Sequence, residues 1–349
     1  MAPQERALGV VKGDETMDWR RILVGGMLVG LLLYPFLLTG SFAQHIIIMT
    51  FMYATLSLAW DILGGHAYLF SFGQAAFFGV GAYTSSMLYV RLGITPWVGM
   101  LAAGLAASLL GLIVGFPTSK LRGHYFAIST LALLVVVQTF FTNWTFVGGA
   151  RGLSLPVVTK NPWFNLQFNQ SKTNYYFIML GLLVVTILTN WLLTRSWIGF
   201  YLRALREAPD VADSLGANNM LYRLLAIAVS AFFTGMVGCL YAQYVLYIDP
   251  ESVMPLDLSI LIVLIAVFGG SGTLWGPVLG AAILVPVMEL TRVWLGGVGR
   301  GLDHMLVGLL VVILCALQPD GVIKLLGPPA NRLLSGKRSK KGVAAYGAR

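Results

Sequence analysis

The sequence predicts an all-α, polytopic membrane protein with about ten transmembrane helices. Hydrophobic residues make up 57% of the chain and charged residues only 11%, whereas a water-soluble globular domain carries about 25% charged residues. A chain of this composition cannot cover itself with a polar surface, and its mean hydropathy of +0.79 indicates that lipid is its main solvent. The apolar residues are gathered into long runs, and the basic residues are confined to short loops and tails.

Ten apolar runs follow a polar and basic tail at residues 1–21. Most are close to the roughly 20 residues that a helix needs to cross about 30 Å of hydrocarbon. The run at 257–269 is shorter, and we expect it to end in a glycine break rather than to cross as a straight rod. The membrane domain then covers 22–319, and a basic tail follows at 320–349. The runs are 22–40, 42–63, 70–90, 97–117, 124–142, 175–194, 224–247, 257–269, 276–295 and 303–319.

The distribution of basic residues predicts the orientation of the chain. Ten crossings that start inside place both termini in the cytoplasm, with a cytoplasmic loop at 195–223 and a periplasmic loop at 143–174. On this assignment 17 of the 23 Lys and Arg residues lie on the cytoplasmic side and 6 on the other, as the positive-inside rule requires. The net charge of +9 therefore reflects membrane topology rather than nucleic-acid binding.

The periplasmic loop at 143–174 is rich in asparagine, glycine, proline and aromatic residues and contains no acidic residue. An aromatic belt at the membrane interface is the favoured interpretation, and a docking surface for an external partner is the alternative. The aromatic residues in and just after the loop are Trp144, Trp163, Phe164, Tyr175 and Tyr176.

Two glycine-rich segments form a weak internal repeat. In each, a Gly-Gly pair ends an apolar run, and a helix rich in glycine and alanine follows after a short gap. Glycine-interrupted membrane segments in corresponding halves point to a transport path, and close helix packing through small residues is an equally favoured alternative. Polar residues within the runs, Gln74 among them, are individually more typical of helix–helix hydrogen bonds. The candidate solute-path residues of these two glycine-broken segments are Gly64, Gly65, Ser71, Gln74, Gly269, Gly270 and Gly272.

Ionisable residues inside the apolar runs are few, and most lie near the ends of the runs. Asp61 and His66 are therefore interpreted as boundary residues with water close by, although charge inside a membrane marks function by default. Glu289 lies deeper, and Arg292 follows it by three residues, which predicts a structural ion pair. A path with few fixed charges suits a small zwitterionic or neutral solute.

The sequence carries no pattern for catalysis, metal binding or nucleotide binding. It has no phosphate-binding loop of the G-x-x-x-x-G-K-[ST] kind, its four histidines are scattered, and Cys239 and Cys315 lie inside apolar runs. We therefore expect a protein that is not an enzyme and that holds no cofactor itself.

The segment 203–216 is the longest strongly charged stretch between apolar runs, and it is patterned like a short amphipathic helix. Pro209 suits the first turn of such a helix, and Gly216 suits its C-terminal cap. Because the segment is too short and too polar to span a bilayer, its apolar stripe must pack against another surface. The stripe consists of Ala208, Val211, Ala212 and Leu215 at helical spacing.

Four motifs in series resemble the inner-membrane permeases of branched-chain amino acid ABC importers, of the LivM type. The first, at 65–84, contains Ser-Phe-Gly-Gln-Ala-Ala-Phe-Phe-Gly-Val-Gly-Ala-Tyr-Thr. The second, at 120–132, reads Lys-Leu-Arg-Gly-His-Tyr-Phe-Ala-Ile-Ser-Thr-Leu-Ala. The third is Gly-Gly-Ala-Arg-Gly-Leu at 148–153, and the fourth, at 268–280, begins Phe-Gly-Gly-Ser-Gly-Thr. Each motif alone is weak, but the resemblance covers about residues 25–326 in the same order and spacing.

The resemblance implies a division of labour among several subunits. Two separate ATP-binding subunits hydrolyse the ATP, a periplasmic or lipid-anchored protein delivers the solute, and a second permease subunit pairs with this one. The segment 203–216 would be the coupling helix that enters a groove of the ATPase, although Pro209 stands where the family commonly has alanine. Its coupling residues would be Arg203, Arg206, Glu207, Ala208, Val211, Ala212, Leu215 and Gly216.

The resemblance thus implies a multi-pass permease subunit in the plasma (inner) membrane of a bacterium or archaeon, with a solute path for branched-chain amino acids. A permease for urea, amides or another small solute is an alternative. A stand-alone secondary transporter is a second alternative, and it would need coupling-ion sites and no ATPase.

Overall fold

The structure, a computed structural model, describes residues 40–119, 121, 123–158, 161–168, 172–207, 218–295, 308–309 and 321–324. Within these ranges the chain is almost entirely helical, which confirms the all-α class. Its contacts divide the chain into two compact units, Met1–His45 and Ile46–Arg349, and all the packing described below lies within the second. The helices are α1 (Ser41–Asp61), α2 (Gln74–Leu92), α3 (Pro96–Thr118), α4 (His124–Asn143), α5 (Pro162–Asn165), α6 (Thr173–Arg195), α7 (Trp197–Glu207), α8 (Asn219–Val245), α9 (Pro250–Val253), α10 (Leu256–Gly269) and α11 (Gly276–Leu295).

Seven helical segments in the described part of the chain are long and apolar enough to cross a membrane. They coincide with seven of the ten predicted runs. An eighth run, 70–90, corresponds to α2, which begins only at Gln74 and is not among the seven. The runs 22–40 and 303–319 fall almost entirely outside the described residues, so the count of ten stays a prediction. The seven are Ser41–His66, Pro96–Thr118, His124–Asn143, Thr173–Arg195, Asn219–Val245, Pro250–Gly269 and Gly276–Val293.

The core is built on α2, α3 and α8, which approach one another through glycine and alanine. A Cβ atom at Gly81 of α2 would collide with the backbone of Gly235 on α8. A Cβ atom at Gly235 would in turn meet the Ala103 carbonyl and the Ala107 side chain of α3. Lipid tails are as apolar as the helices, so close van der Waals contact of this kind is a main source of helix association in a membrane.

The helices α10 and α11 form a hairpin that is closed by residues 270–275. α10 ends at Gly269, and Gly270 has a φ of +117°, a backbone conformation that favours glycine. Within the hairpin, a Cβ atom at Gly269 would collide with the carbonyl oxygen of Gly276, and one at Gly280 would collide with that of Ile265. The two helices can lie this close only because these positions lack side chains.

The outer face of the bundle is formed by α3, α4 and α6, whose large exposed residues are mostly apolar. Leu105 on α3 is 64% exposed, Val136 on α4 is 64% exposed, and Leu188 on α6 is 53% exposed. In contrast, Leu56, Leu58 and other residues in the second half of α1 are completely buried. An apolar outer surface around a closely packed interior is the arrangement that a lipid environment requires.

The segment between α4 and α6 packs onto the ends of the helices rather than standing apart from them. Its strand β1 (Leu153–Ser154) pairs antiparallel with β2 (Tyr247–Ile248), which follows α8. Trp163 is 59% exposed, and its carbonyl oxygen accepts a hydrogen bond of 2.8 Å from Trp97. Trp144 and Phe164 are also exposed, whereas Tyr175 and Tyr176 are buried. The interface interpretation therefore fits the first three aromatic residues, and it is wrong for the two tyrosines.

Candidate functional site

The two glycine-rich segments that the sequence marks as a repeat lie against each other in the folded chain. α1 ends at Asp61, and one π-helical turn, Ile62–His66, continues it. The Asp61 carboxylate oxygen Oδ1 accepts a hydrogen bond of 2.7 Å from the backbone N–H of Gly272, in the loop between α10 and α11. We call this contact the glycine junction and define it by Asp61, Gly65 and Gly272.

Glycine is required at the junction because the backbones lie in contact. A Cβ atom at Gly65 would collide with both Asp61 Oδ1 and the backbone nitrogen of Gly272. A Cβ atom at Gly64 would enter the ring of Trp60. The Gly-Gly pair therefore lets the end of α1 pack directly on the loop between α10 and α11.

Asp61 and His66 are both enclosed by protein at the junction. Asp61 is 0% exposed and His66 is 6% exposed. The His66 Nδ1 atom lies 3.6 Å from Asp61 Oδ2 and 3.0 Å from the Asp61 carbonyl oxygen. The interpretation that water solvates these two residues is therefore wrong. A buried carboxylate is costly unless it is hydrogen-bonded or paired, and the Gly272 N–H supplies one such bond.

Ser71 and Gln74 follow the π turn and tie the start of α2 to its neighbours. Gln74 is completely buried; its Nε2 donates a hydrogen bond to Ser230 Oγ, and its Oε1 accepts one from Thr234 Oγ1, both at 2.9 Å. The Ser71 carbonyl oxygen accepts a hydrogen bond of 2.8 Å from Trp60 Nε1. Both residues thus make hydrogen bonds between packed segments, and their assignment to the solute path stays a prediction.

The helix α7 leads into the predicted coupling segment and contacts the π turn. Its surface is strongly divided: Trp197 is 80% exposed and Phe200 is 59% exposed, whereas Leu202 is completely buried. Leu202 belongs to the same apolar cluster as Ile62 and Leu63 of the π turn. The helix α7, whose residues 203–207 begin the predicted coupling segment, therefore packs against residues adjacent to the glycine junction.

A cavity of about 360 Å³ opens between α1, α2, α8, α10 and α11. Its wall is largely apolar, but it includes the charged residues Asp257 and Arg292. Arg292 Nη1 lies 3.5 Å from Glu289 Oε1, so the predicted ion pair is confirmed. The Arg292 side chain is 55% exposed, whereas that of Glu289 is only 7% exposed. The pair therefore presents its cationic member to the cavity.

The described helices are apolar on their outer face and enclose the glycine junction and the cavity. The sequence profile of a protein family described as "Branched-chain amino acid transport system / permease component" matches residues 42–315. The chain belongs to this permease family. It is therefore a multi-pass membrane subunit of a transport system rather than an enzyme.

Three relatives of the permease are themselves named as permease proteins of transport or import systems. The high-affinity branched-chain amino acid transport system permease protein LivM of Salmonella typhimurium is 28% identical over 337 residues, which cover 88% of this chain and 76% of the relative. A probable LivM of Methanocaldococcus jannaschii is 25% identical over 73% of this chain and 81% of the relative. The autoinducer 2 import system permease protein LsrC of Salmonella paratyphi B is 27% identical over 67% of this chain and 70% of the relative.

No solved structure matches the permease chain. The contacts described above join two parts of the chain that are far apart in sequence. They place the glycine residues of both predicted path segments together, with Gly65 and Gly272 in one junction and Gly269 and Gly270 at the adjoining end of α10.

Only part of the permease's predicted coupling segment lies among the described residues. Arg203 is exposed on α7, and its Nη2 donates a hydrogen bond of 3.1 Å to the Thr194 carbonyl oxygen. Arg206 and Glu207 form the last turn of α7. No helix between 197 and 202 was predicted from the sequence, so the amphipathic character of α7 is a finding of the structure. The other predicted residues, Ala208, Val211, Ala212, Leu215 and Gly216, lie outside the described residues.

The cavity residues were not recognised as a site from the sequence. Asp257 lies in the first turn of α10, and Arg292 lies near the end of α11, 35 positions further on. The available signal was the presence of two oppositely charged residues in adjacent apolar runs, which marks function by default. Because Glu289 and Arg292 have i,i+3 spacing, Arg292 was instead interpreted as a member of a structural ion pair.

Proposed function

We propose that this permease forms the solute path of an ABC importer for branched-chain amino acids and couples that path to separate ATPase subunits. The observation that carries the proposal is the family match over residues 42–315. The similarity to LivM proteins over 88% of the chain supports the same solute class. Transport by such a subunit needs no bond-making chemistry within the chain.

We propose that the chain crosses the plasma (inner) membrane of a bacterium or archaeon ten times, with both termini in the cytoplasm. Seven described segments qualify as spans by length and composition, α2 supplies an eighth helix, and the runs 22–40 and 303–319 supply two more. The excess of basic residues in 1–21, 195–223 and 320–349 supports this orientation. The connection between α4 and α6 is then periplasmic, and α7 is cytoplasmic.

The proposed importer contains four further parts. A second permease subunit pairs with this one, two ATP-binding subunits supply the energy, and a periplasmic or lipid-anchored protein delivers the solute. ATP is used only by the partner subunits. The amphipathic α7 and the charged segment that follows it support a cytoplasmic contact, because a short helix of this type cannot span the membrane.

The coupling route runs from the cytoplasmic segment through α7 to the glycine junction. A movement of the segment 208–216 in an ATPase groove would pull on α7, to which it is joined at Glu207. α7 contacts the π turn through Leu202 and its neighbours Ile62 and Leu63. The π turn carries Gly65, so the end of α1 and the loop at Gly272 would shift with it.

The glycine segments form the cytoplasmic part of the proposed solute path. On the proposed topology Asp61, Gly65 and Gly272 lie near the cytoplasmic ends of their helices, as do Gly64, Gly269 and Gly270. Non-helical backbone inside a membrane persists only where protein or a water-filled cavity satisfies its polar groups. The hydrogen bond from Gly272 to Asp61 is a contact of that kind, and its opening would widen the path without unfolding a helix.

Reconstitution of the complete complex tests the proposed function. The permease is purified with its partner permease, its ATPases and its binding protein, inserted into liposomes, and assayed for ATP hydrolysis and uptake. Leucine should stimulate hydrolysis and accumulate in the vesicles. Stimulation by urea or another small solute, without stimulation by leucine, would contradict the solute class. Uptake of leucine without ATPases would favour a secondary transporter.

The similarity to LsrC proteins supports a second candidate solute class. LsrC is named for the import of autoinducer 2, and it matches 67% of this chain at 27% identity. The similarity to LivM covers more of the chain at a comparable identity, so branched-chain amino acids remain the first proposal. Adding autoinducer 2 to the same hydrolysis assay compares the two directly.

A further inference from the structure

The cavity between α1, α2, α8, α10 and α11 has the size of a small-molecule site. Its volume of about 360 Å³ lies within the roughly 300–1,000 Å³ of typical ligand pockets, which are mostly apolar with a few placed polar groups. Tyr53, Tyr241 and Ser252, whose side chains carry hydroxyl groups, are among its lining residues. The combination of apolar wall, hydroxyl groups and opposite charges restricts the chemistry of an occupant.

The apolar wall of the cavity is made of side chains that adapt to aliphatic groups. Met52 on α1 is 3% exposed, and Met288 on α11 is 6% exposed. Leu258, Leu261 and Leu264 line the wall from successive turns of α10. Methionine is flexible and fills irregular space, so this wall accepts branched aliphatic side chains that differ by a methyl group.

The charged part of the cavity contains one carboxylate and one guanidinium. Asp257 is exposed in the first turn of α10, and Arg292 is half exposed on α11. A guanidinium carries five N–H donors in a planar fork, which matches the geometry of a carboxylate. Charged residues beside a membrane cavity are costly without a role. Together they offer an acceptor for an ammonium group and a fork of donors for a carboxylate.

We propose that this cavity binds an amino acid zwitterion with an aliphatic side chain. Arg292 receives the α-carboxylate, Asp257 receives the α-ammonium group, and the wall of Met52, Leu261 and Met288 receives the side chain. The inference rests on the proposed function and deepens it, because it assigns a solute site to this subunit. A lipid acyl chain would use the apolar wall but has no group that matches both charges.

The first test compares variants in the reconstituted complex with all its subunits. Leu261→Trp fills the cavity, and its matched control, Leu109→Trp, places the same residue at a 59% exposed position on α3. Leu261→Trp should lower the maximal rate of leucine uptake by about tenfold, because the indole takes up space in the pocket that the solute side chain needs. Leu109→Trp should leave the rate unchanged. Equal uptake by the two variants would overturn the proposal.

The second test addresses the charge at Asp257. Asp257→Asn keeps an acceptor oxygen but removes the negative charge, and it should lower leucine uptake by about tenfold because a charge-assisted hydrogen bond is stronger than a neutral one. Glu251→Gln, at an exposed acid outside the cavity, should have no effect. Uptake by Asp257→Asn at the wild-type rate would overturn the assignment of the ammonium group. A wild-type complex that does not transport leucine at all would instead contradict the proposed function.

A third measurement separates solute binding from a structural role. Leu264→Cys is introduced together with Cys239→Ala and Cys315→Ala, and its reaction with a small hydrophilic thiol reagent is followed during ATP turnover. Leucine should slow the labelling, because it occupies the cavity, whereas a Glu251→Cys control, at an exposed position outside the cavity, should react at the same rate with and without leucine. Labelling of Leu264→Cys that leucine does not slow, or a cavity that retains a phospholipid throughout leucine transport, would overturn the proposal.

Discussion

The carboxylate of Asp61 accepts a hydrogen bond of 2.7 Å from the backbone N–H of Gly272, a residue 211 positions further along the chain. This bond joins the end of α1 to the loop that closes the hairpin of α10 and α11. The side chain of Asp61 is completely buried, so the bond is shielded from competing water. It is the contact through which the two glycine-rich segments of the permease meet.

Removal of the Asp61 carboxylate should destabilise the junction. Asp61→Ala leaves the N–H of Gly272 without this acceptor, which costs about 1–3 kcal/mol of unfolding free energy. Asp61→Asn keeps an acceptor oxygen and should lose less. Thermal unfolding of the purified protein in detergent measures the difference, with Glu251→Ala as the control at an exposed acid. If Asp61→Ala unfolds at the temperature of the unaltered protein, the bond does not stabilise the fold.

Addition of one methyl group at Gly65 should disrupt the same contact by steric overlap. Gly65→Ala places a Cβ atom against Asp61 Oδ1 and the nitrogen of Gly272, and relief of such overpacking costs about 1–3 kcal/mol. Gly181→Ala on α6 is the matched control, since nothing lies within 4 Å of its Cβ position. Gly65→Ala should lower both thermal stability and leucine uptake. A variant that matches Gly181→Ala in both measurements would contradict the described packing.

Gln74 should couple energetically to α8. A double-mutant cycle with Gln74→Leu and Thr234→Val isolates the hydrogen bond between the two side chains. Hydrogen bonds between membrane helices contribute about 0.6 kcal/mol on average and reach about 1.7 kcal/mol, and the complete burial of Gln74 places this one towards the upper end. A second cycle, which combines Gln138→Leu at a partly exposed position on α4 with Thr234→Val, is the comparison for two residues that are not coupled. A coupling energy of zero would exclude the bond.

Truncation of Leu202 should weaken the link between α7 and the π turn. Leu202→Ala removes a completely buried side chain from the cluster that contains Ile62 and Leu63, at a cost of about 2–5 kcal/mol by analogy with other buried leucines. In the reconstituted complex it should lower the leucine taken up per ATP hydrolysed. Leu221→Ala, at a 51% exposed position on α8, should keep the normal ratio. Equal ratios in the two variants would place the coupling route elsewhere.

Changes in the coupling segment should separate ATP hydrolysis from transport. Glu207→Arg reverses a charge at the end of α7, and Gly216→Pro removes the glycine expected at the helix C-terminus. Both variants should insert into the membrane normally but hydrolyse ATP without matching uptake. Glu251→Arg, on the proposed periplasmic side, is the control for charge reversal. Normal co-purification of the ATPases with full uptake in both variants would exclude this segment as the coupling element.

Much of the site could not be predicted because its residues meet only through the fold. The repeat was visible in sequence, yet nothing in it indicated that Gly65 and Gly272 are in contact. The burial of Asp61 was hidden for a related reason: the end of an apolar run normally meets water, but here the π turn and the hairpin loop enclose it. The Glu289–Arg292 pair was predicted correctly since a single helix fixes its spacing.

The sequence by itself determined that this permease is an all-helical, multi-pass membrane protein, and it located the seven spans that the described residues contain. The physical reason is local: in lipid each backbone group must be satisfied within its own helix, so an apolar run of sufficient length has one available structure. The tertiary structure alone decided the partners of Asp61, the burial of Leu202 and the convergence of Asp257 and Arg292 on one cavity. Those contacts depend on which helices pack together, and small-residue packing leaves no periodic signal that identifies its partner.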